Sequence, residues 1–325
     1  MSTDGAAVTV PAPPGDDPLR WRIGLVGYGE VGRILAEDLR ARGVARILAF
    51  DIRLDGAAAA PLHEHAAAHG VVLADSHAAL AADADLVVSA VTADQAVAVA
   101  SACAPTLQRD AWFLDLNSAS PGAKRDAAAR IGQAGARYVE GAVMTSVPPY
   151  RIRVPLLLGG PHASAFAPLL TALGFAPKAG PAELGIASAT KMCRSVMIKG
   201  LEAMVIESFT AARAWGVEDE VLASLAETFP DIDWERQGSY FFERVILHGR
   251  RRAEEMRESA NTVREAGLEP WSAAGTANRQ AWVADLAERG VFGEPRDARA
   301  DWRVQADRLL ATRVAGDDAS GPDRK

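Results

Sequence analysis

The sequence predicts a doubly wound parallel α/β sheet domain followed by an all-helical domain. Between residue 22 and about residue 180, short apolar or β-branched runs alternate with helix-like stretches. This alternation is typical of βαβ units in a parallel sheet that is covered on both faces. After Pro181, long helical segments follow one another without a convincing strand. A chain of 325 residues is long enough for two domains, each with its own core.

Strands and helices alternate along the first half of the chain. The first five predicted strands are RIGLV, ARILAFD, VVLAD, DLVVSAV and AWFLDLN. The runs RYVEGAVM, VPLLLGG and GFAPK extend the sheet, and a helix at HASAFAPLLTALG precedes the last of them. In the second half, a helix of about thirty residues follows Pro181. Later helices are predicted at VEDEVLASLAET, at WERQGSYFFERVILHGRRRAEEMRESANTVREAG and from about Ser272 to Arg289.

These elements lie between two polar tails. Residues 1–19 and 315–325 are rich in Pro, Gly, Ala and Asp and lack apolar periodicity, so both are predicted to be disordered. The predicted sheet domain covers residues 20–180, and the predicted helical domain covers residues 181–314.

The composition argues against several classes of function. With 42 acidic and 35 basic side chains, the net charge of −7 gives no overall basic field for nucleic acid or anionic membranes. No apolar window reaches the roughly 18 residues of a membrane span, and the first residues lack a signal sequence, so we expect a cytoplasmic protein. Cys103 and Cys193 lack disulfide or zinc-site spacing and are predicted to be buried thiols.

A glycine-rich loop is the sharpest local motif. It directly follows the strand IGLV and opens an amphipathic helix, as in a Rossmann-type dinucleotide site. Asp51 ends the second strand, where its carboxylate can accept both ribose hydroxyls and repel a 2′-phosphate, which favours NAD. Arg53 leaves NADP open, and a methyltransferase is the main alternative interpretation of the loop. The full predicted cofactor set is Gly27, Tyr28, Gly29, Glu30, Val31, Gly32, Asp51, Arg53, Val91 and Thr92.

Lys191 is the candidate proton-transfer group. Hydride transfer to a nicotinamide requires a group that takes the hydroxyl proton, and a lysine with a lowered pKa can do so. Lys191 follows a run of small residues at the start of the first long helix, where the helical domain begins. The alternative is an ordinary solvated lysine on a helix.

Four segments together make the chain resemble the β-hydroxyacid dehydrogenase superfamily, which includes 6-phosphogluconate and 3-hydroxyisobutyrate dehydrogenases. They are the glycine loop, DLNSASP from Asp115, EGAVMTS from Glu140, and the helix that carries Lys191. The segment AVMTSVPPYRIRVPLLLGG is most similar in sequence to a phosphogluconate dehydrogenase-like branch of the superfamily. The helical C-terminal domain of that branch has no assigned substrate. The resemblance implies that Lys191 is the general acid/base and that the chain pairs as a homodimer.

The resemblance also implies roles for residues around Lys191. Asn117 matches a family serine and can donate to a substrate carboxylate or to the nicotinamide, with Ser118 as the next candidate. Ser195 stands where the family has an asparagine, and we expect it to be a catalytic donor. His248 falls near a second family lysine, although a surface histidine beside an arginine run is the alternative. The predicted substrate-binding set is Ser118, Met144, Thr145, Ser146 and His248.

Two departures from the family affect the predicted substrate. Met144-Thr145-Ser146 replaces the family's Ser-Gly-Gly substrate loop. Ile198 stands where phosphogluconate enzymes carry a glutamate acid, so oxidative decarboxylation of 6-phosphogluconate is unsupported, and a smaller or different hydroxyacid is expected. No metal site is predicted, because His63, His65, His69 and His77 are irregularly spaced and are interpreted as surface residues.

The sequence therefore predicts an NAD-dependent dehydrogenase that acts on a small-molecule hydroxyacid in a cleft between two domains. An imine or carbonyl reductase is the alternative within enzymes, although the presence of Lys191 argues against it. The alternative that is not an enzyme is a non-catalytic dinucleotide-binding protein. A homodimer is expected because the first long helix is apolar around most of its circumference. The apolar residues are Met192, Val196, Met197, Leu201, Met204, Val205, Ile206 and Phe209.

Overall fold

The structure is a computed structural model that describes residues 17–56 and 59–317. The chain divides into two compact units between Lys191 and Met192. Most of the two predicted tails, residues 1–16 and 318–325, lies outside the described residues. The first described element is a short 3-10 turn, Pro18–Arg20, in which the Asp17 side chain accepts a hydrogen bond from the backbone N–H of Leu19.

The first unit is built on one sheet of eight strands in the order β3-β2-β1-β4-β5-β6-β7-β8. Neighbouring strands are parallel except for β6 and β7, which are antiparallel. The strands β4 and β5 are buried along their whole length, as expected for the middle of a parallel sheet with helices on both faces. The strands are β1 (Arg22–Val26), β2 (Arg46–Phe50), β3 (Val72–Leu73), β4 (Leu86–Ser89), β5 (Trp112–Asp115), β6 (Arg137–Val143), β7 (Pro155–Gly159) and β8 (Ala176–Ala179).

Within the described part of the first unit, six helices connect the strands of this sheet. Helix α5 begins with a proline, whose fixed φ suits the first helical position, and the Ser120 hydroxyl accepts a hydrogen bond from the Ala123 N–H as its N-cap. Ser76 caps α3 in the same way. The helices are α1 (Glu30–Ala41), α2 (Ala60–Ala68), α3 (His77–Asp83), α4 (Ala96–Cys103), α5 (Pro121–Gln133) and α6 (Ala163–Ala172).

The described residues of the second unit form helices joined by turns and contain no strand. Its core contains Phe209, Phe242 and Trp302, which are almost fully buried, and the Trp302 ring makes tilted contacts with both phenylalanine rings. The helix that leads into this unit begins in the first unit and is 30 residues long. The helices are α7 (Ile186–Trp215), α8 (Glu218–Thr228), α9 (Trp234–Glu265), α10 (Trp271–Glu288) and α11 (Trp302–Asp317).

The predicted fold class is confirmed, and each predicted strand and helix is present. Helices α3 and α11 were not predicted from the sequence; in α11 the side chains at Trp302, Ala306 and Leu309 are buried. The prediction of two buried thiols is wrong for Cys193, which is exposed, whereas Cys103 is buried and its pKa is raised to about 12 by burial. Among the described residues, no helix combines the length and the apolar character needed to cross a bilayer.

Candidate active site

The candidate site lies at the carboxyl ends of the central strands of the first unit. Strand β1 pairs with β2 on one side and with β4 on the other, so the order of the strands reverses at this point. The glycine loop follows β1, and residues 90–92 follow β4. In open α/β sheets a ligand binds in the crevice outside such a reversal.

The glycines of the loop adopt a shape that other residues would disturb. Gly27 has φ +90°, which L side chains rarely adopt, and a Cβ there would overlap the carbonyl oxygen of Ala90. A Cβ on Gly32 would overlap the carbonyl oxygen of Gly27, so helix α1 could not begin so close to the loop. Gly29 is the N-cap of α1, and Glu30 and Val31 form its first turn. This cradle fits a dinucleotide diphosphate at the N-terminus of a helix.

Asp51 lies beside the loop at the end of β2 and is 8% exposed. Its Oδ2 accepts a hydrogen bond of 2.9 Å from the backbone N–H of Tyr28. The guanidinium of Arg53 forms two bonds of 2.8 Å to the same carboxylate. Burial would raise the pKa of Asp51, but the bonds from Arg53 and from the Tyr28 N–H outweigh it and lower the pKa. The carboxylate is therefore ionised and held where a ribose would lie.

The loops after β4 and β5 are joined by a buried amide. Asn117 is 4% exposed, and its Oδ1 accepts a hydrogen bond of 2.7 Å from the backbone N–H of Val91. Its Nδ2 donates to the Ser89 hydroxyl at 2.9 Å. Thr92, which follows Val91 in the chain, is exposed and precedes a 3-10 turn. The Asn117 amide thus fixes two loops at the sheet edge, and its predicted contact with substrate stays a prediction.

Lys191 reaches the same sheet edge from helix α7. Its Nζ donates a hydrogen bond of 2.6 Å to the Ser118 hydroxyl, which follows β5. Both side chains are partly buried. The structure therefore brings together two residues that are 73 positions apart in the sequence and that were each predicted to act on substrate.

A buried charged cluster lies beneath Ser118. Lys124 on helix α5 is 1% exposed, and its Nζ lies 2.8 Å from Oδ1 of Asp115. The same ammonium donates to the Asp115 carbonyl oxygen at 3.0 Å, and the Tyr138 hydroxyl donates to Oδ2 at 2.8 Å. The backbone N–H of Asn117 donates to Oδ1 as well. These bonds fix the backbone that carries Asn117 and Ser118.

A second buried carboxylate holds the start of helix α7. Glu140 on β6 is 1% exposed and accepts hydrogen bonds from the backbone N–H groups of Gly185, at 2.7 Å, and Ser188, at 3.1 Å. A negative charge at the N-terminus of a helix is favourable, because the unpaired N–H groups there carry partial positive charge. Glu140 therefore fixes the first turn of the helix that presents Lys191.

The remaining predicted substrate residues have different surroundings. Met144 and Ser146 are half-buried and Thr145 is exposed in the loop after β6. In the second unit, Ser195 is buried and accepts a hydrogen bond of 3.2 Å from Lys199. His248 is exposed on α9, and its role in substrate binding stays a prediction.

The buried residues that support the site were not predicted from the sequence. Asp115 and Glu140 begin two of the segments that carry the family resemblance, but neither they nor Lys124 were predicted to support the site. Their signal was a carboxylate within or at the end of an otherwise apolar strand, WFLD or YVEGAV. A charge in such a position is costly unless it is paired, so it predicts a partner nearby.

Comparison with known proteins assigns the two parts of the chain. Residues 22–174 match the NAD binding domain of 6-phosphogluconate dehydrogenase, and residues 212–283 match a domain of unknown function, DUF1932. The chain belongs to the 6-phosphogluconate dehydrogenase-like family. Within this family it carries the DUF1932 type of C-terminal domain.

Several solved structures share the fold of this chain. A conserved hypothetical protein from Sinorhizobium meliloti is 38% identical, with 89% of this chain and 96% of that chain covered and a TM-score of 0.72. A conserved protein described as similar to 3-hydroxyacid dehydrogenases is 28% identical over 83% of this chain and 99% of its own, with a TM-score of 0.64. A 3-hydroxyisobutyrate dehydrogenase from Mycobacterium tuberculosis shares the fold at 17% identity over 89% of this chain and 99% of its own, with a TM-score of 0.61.

The family and the site agree on a coarse function. The family is one of dinucleotide-binding, hydroxyacid dehydrogenase-like oxidoreductases. The glycine loop and Asp51 of this chain fit a nicotinamide dinucleotide, because the loop leaves room for the diphosphate and the carboxylate can bind ribose hydroxyls.

Proposed function

We propose that the protein is an NAD-dependent oxidoreductase that transfers a hydride between nicotinamide and a small hydroxyacid, with Lys191 as the general acid/base. The observation that carries this proposal is the 2.6 Å contact between Lys191 Nζ and Ser118 Oγ. This contact lies at the sheet edge where the glycine loop and Asp51 form a dinucleotide site. A proton-transfer group is thus fixed beside a cofactor site in one folded unit.

The side chains support a simple division of work. A nicotinamide bound at the glycine loop and Asp51 would supply the acceptor for the hydride that leaves the carbon carrying the substrate hydroxyl. Lys191, in its neutral form, accepts the proton of that hydroxyl, and in the reverse direction its ammonium returns the proton. Ser118 accepts a hydrogen bond from Lys191 and can donate its own proton to a substrate oxygen. Asn117 holds the loop that carries Ser118, and Glu140 holds the helix that carries Lys191.

A direct test is a screen of hydroxyacids and sugar acids for formation of reduced cofactor. Steady reduction of NAD by any of them would support the dehydrogenase, whereas reduction of imines or ketones alone would favour the reductase. Cofactor binding without turnover on any of these compounds would favour a non-catalytic dinucleotide-binding protein. Because Ile198 stands where phosphogluconate enzymes carry a glutamate, we expect that the protein does not oxidise 6-phosphogluconate.

The cofactor preference follows from Asp51 and Arg53. We expect the protein to bind NAD more tightly than NADP, because a 2′-phosphate beside the ionised Asp51 would meet like charge. Arg53 already pairs with Asp51, and its side chain is 50% exposed. Titration of both cofactors at physiological salt measures the preference. Arg53→Ala should weaken the binding of NADP more than the binding of NAD. Tighter binding of NADP than of NAD by the unaltered protein would contradict the proposal.

The quaternary structure is a second proposal. We propose a homodimer that forms through helix α7, because Met197 is 73% exposed and Met204 is 62% exposed on this helix. These two residues are seven positions apart and therefore lie on one face. Light scattering should report about twice the chain mass of 34.3 kDa at micromolar concentration.

A pair of variants tests the proposed dimer face. Met204→Glu should give a monomer, since it places a charge in an apolar interface. Leu268→Glu is the matched control, because Leu268 is 65% exposed but lies outside α7. A monomeric unaltered protein, or equal dissociation of both variants, would exclude this arrangement.

A further inference from the structure

A cluster of metal-ligand side chains lies in the first unit, apart from Lys191. Glu37 on α1, His65 on α2 and His69, the residue that ends α2, converge so that one ligand atom of each lies within 4.8 Å of the others. All three residues are half-buried rather than freely solvated. The sequence led us to interpret these histidines as surface residues; in the structure His65 and His69 are half-buried, whereas His63 is exposed.

The spacing of the ligand atoms is close to that of a metal site. His65 Nε2 lies 2.9 Å from Glu37 Oε1, and the rings of His65 and His69 are stacked with centroids 4.4 Å apart. Bonds of about 2.0–2.2 Å to a tetrahedral Zn²⁺ place neighbouring ligand atoms about 3.4 Å apart. The ligand atoms lie within 4.8 Å of one another, so side-chain rotations that lengthen the His65–Glu37 contact and shorten the longer separations would bring the three groups around one ion.

Neighbouring residues orient two of the three ligands. The Tyr28 hydroxyl lies 2.8 Å from Nδ1 of His65, which fixes the ring and points Nε2 toward Glu37. A hydrogen bond to the second ring nitrogen is the usual support of a metal-binding histidine. Arg151 donates to Oε2 of Glu37 at 2.6 Å, and Oε1 is the oxygen that contacts His65. These contacts distinguish the cluster from side chains that are close only by chance.

We propose that Glu37, His65 and His69 form a binding site for a divalent transition-metal ion of the zinc class, with water completing the coordination. Two imidazoles and one carboxylate suit Zn²⁺, Co²⁺ or Ni²⁺, whereas Mg²⁺ and Ca²⁺ prefer oxygen ligands alone. The ion would clamp helix α1 to helix α2. Through His65 and Tyr28 it would also stabilise the glycine loop, since Tyr28 is part of that loop.

The test is a metal titration of the full chain without an affinity tag and after treatment with a chelator. Calorimetry with Zn²⁺ and visible absorption with Co²⁺ should each show one equivalent bound to the unaltered protein. Glu37→Gln and His69→Ala should weaken binding by at least about tenfold, since even residues outside the ligand set have effects of this size. Zn²⁺ should raise the Tm of the unaltered protein, and His69→Ala should abolish this increase.

His63→Ala is the matched control. His63 lies on the same helix, but it is exposed and its Nε2 is 3.1 Å from the carbonyl oxygen of Leu54. Loss of binding in His69→Ala and Glu37→Gln, with binding retained in His63→Ala, would support the site. Failure of the unaltered protein to bind either ion would overturn the proposal, and so would equal binding by all variants. Melting curves without metal would show that each variant is folded.

Discussion

Lys191→Ala is expected to reduce kcat by about 10²–10⁴-fold, because proton transfer by a positioned group contributes this much to the rate. NAD binding should change by less than about threefold, since the loss of a transition-state interaction alone leaves ground-state binding intact. The glycine loop and Asp51, which fit the dinucleotide, do not depend on the Lys191 side chain for their contacts. Steady-state kinetics with the hydroxyacid found by screening and titration with NAD measure the two quantities separately.

Two further variants show whether the effect belongs to proton transfer. Lys191→Arg should also be inactive, because a guanidinium stays protonated and cannot accept the hydroxyl proton. Lys178→Ala is the control, since Lys178 is an exposed lysine on β8 of the same unit. Wild-type turnover in Lys191→Arg would show that Lys191 is not the base. Ser118→Ala should have a smaller effect, because it removes one hydrogen-bonding hydroxyl and leaves the Lys191 amine in place.

The sheet could be predicted from the sequence because each of its signals is local. The strand IGLV, the glycines after it and the acid at the end of the next strand all lie within about 30 residues of one another. Gly27 has a positive φ, and a side chain on Gly32 would overlap the carbonyl oxygen of Gly27. Both requirements restrict these positions to glycine. This part of the site can therefore be predicted from one short stretch of the sequence.

The supporting contacts could not be predicted, because they join residues that are distant in sequence. Glu140 meets the start of α7 across 45 and 48 positions, and no periodicity indicates which helix end it caps. The cluster of Glu37, His65 and His69 depends on how α1 and α2 pack side by side. The exposure of Cys193 likewise depends on the direction in which one face of α7 points. Packing rather than local pattern decides these features.

Lys124→Met is expected to destabilise the protein by about 3–5 kcal/mol, because it leaves the Asp115 carboxylate buried without its counter-charge. Both side chains of this pair are 1% exposed, so water cannot replace the lost partner. Arg250→Ala is the contrasting control, since Arg250 pairs with Asp285 at the surface and such pairs contribute about 0–1 kcal/mol. Urea unfolding of the two variants and the unaltered protein measures both free energies of unfolding.

A double variant distinguishes a buried charge from a simple loss of packing at Lys124. Asp115→Asn combined with Lys124→Met removes the unpaired charge, while the asparagine oxygen can still accept hydrogen bonds from the Tyr138 hydroxyl or the Asn117 N–H. The double variant should therefore be more stable than Lys124→Met alone, with a coupling that a double-mutant cycle measures. If the two substitutions were instead additive, the destabilisation would come from lost packing of the lysine chain, and the electrostatic role assigned to this pair would be wrong.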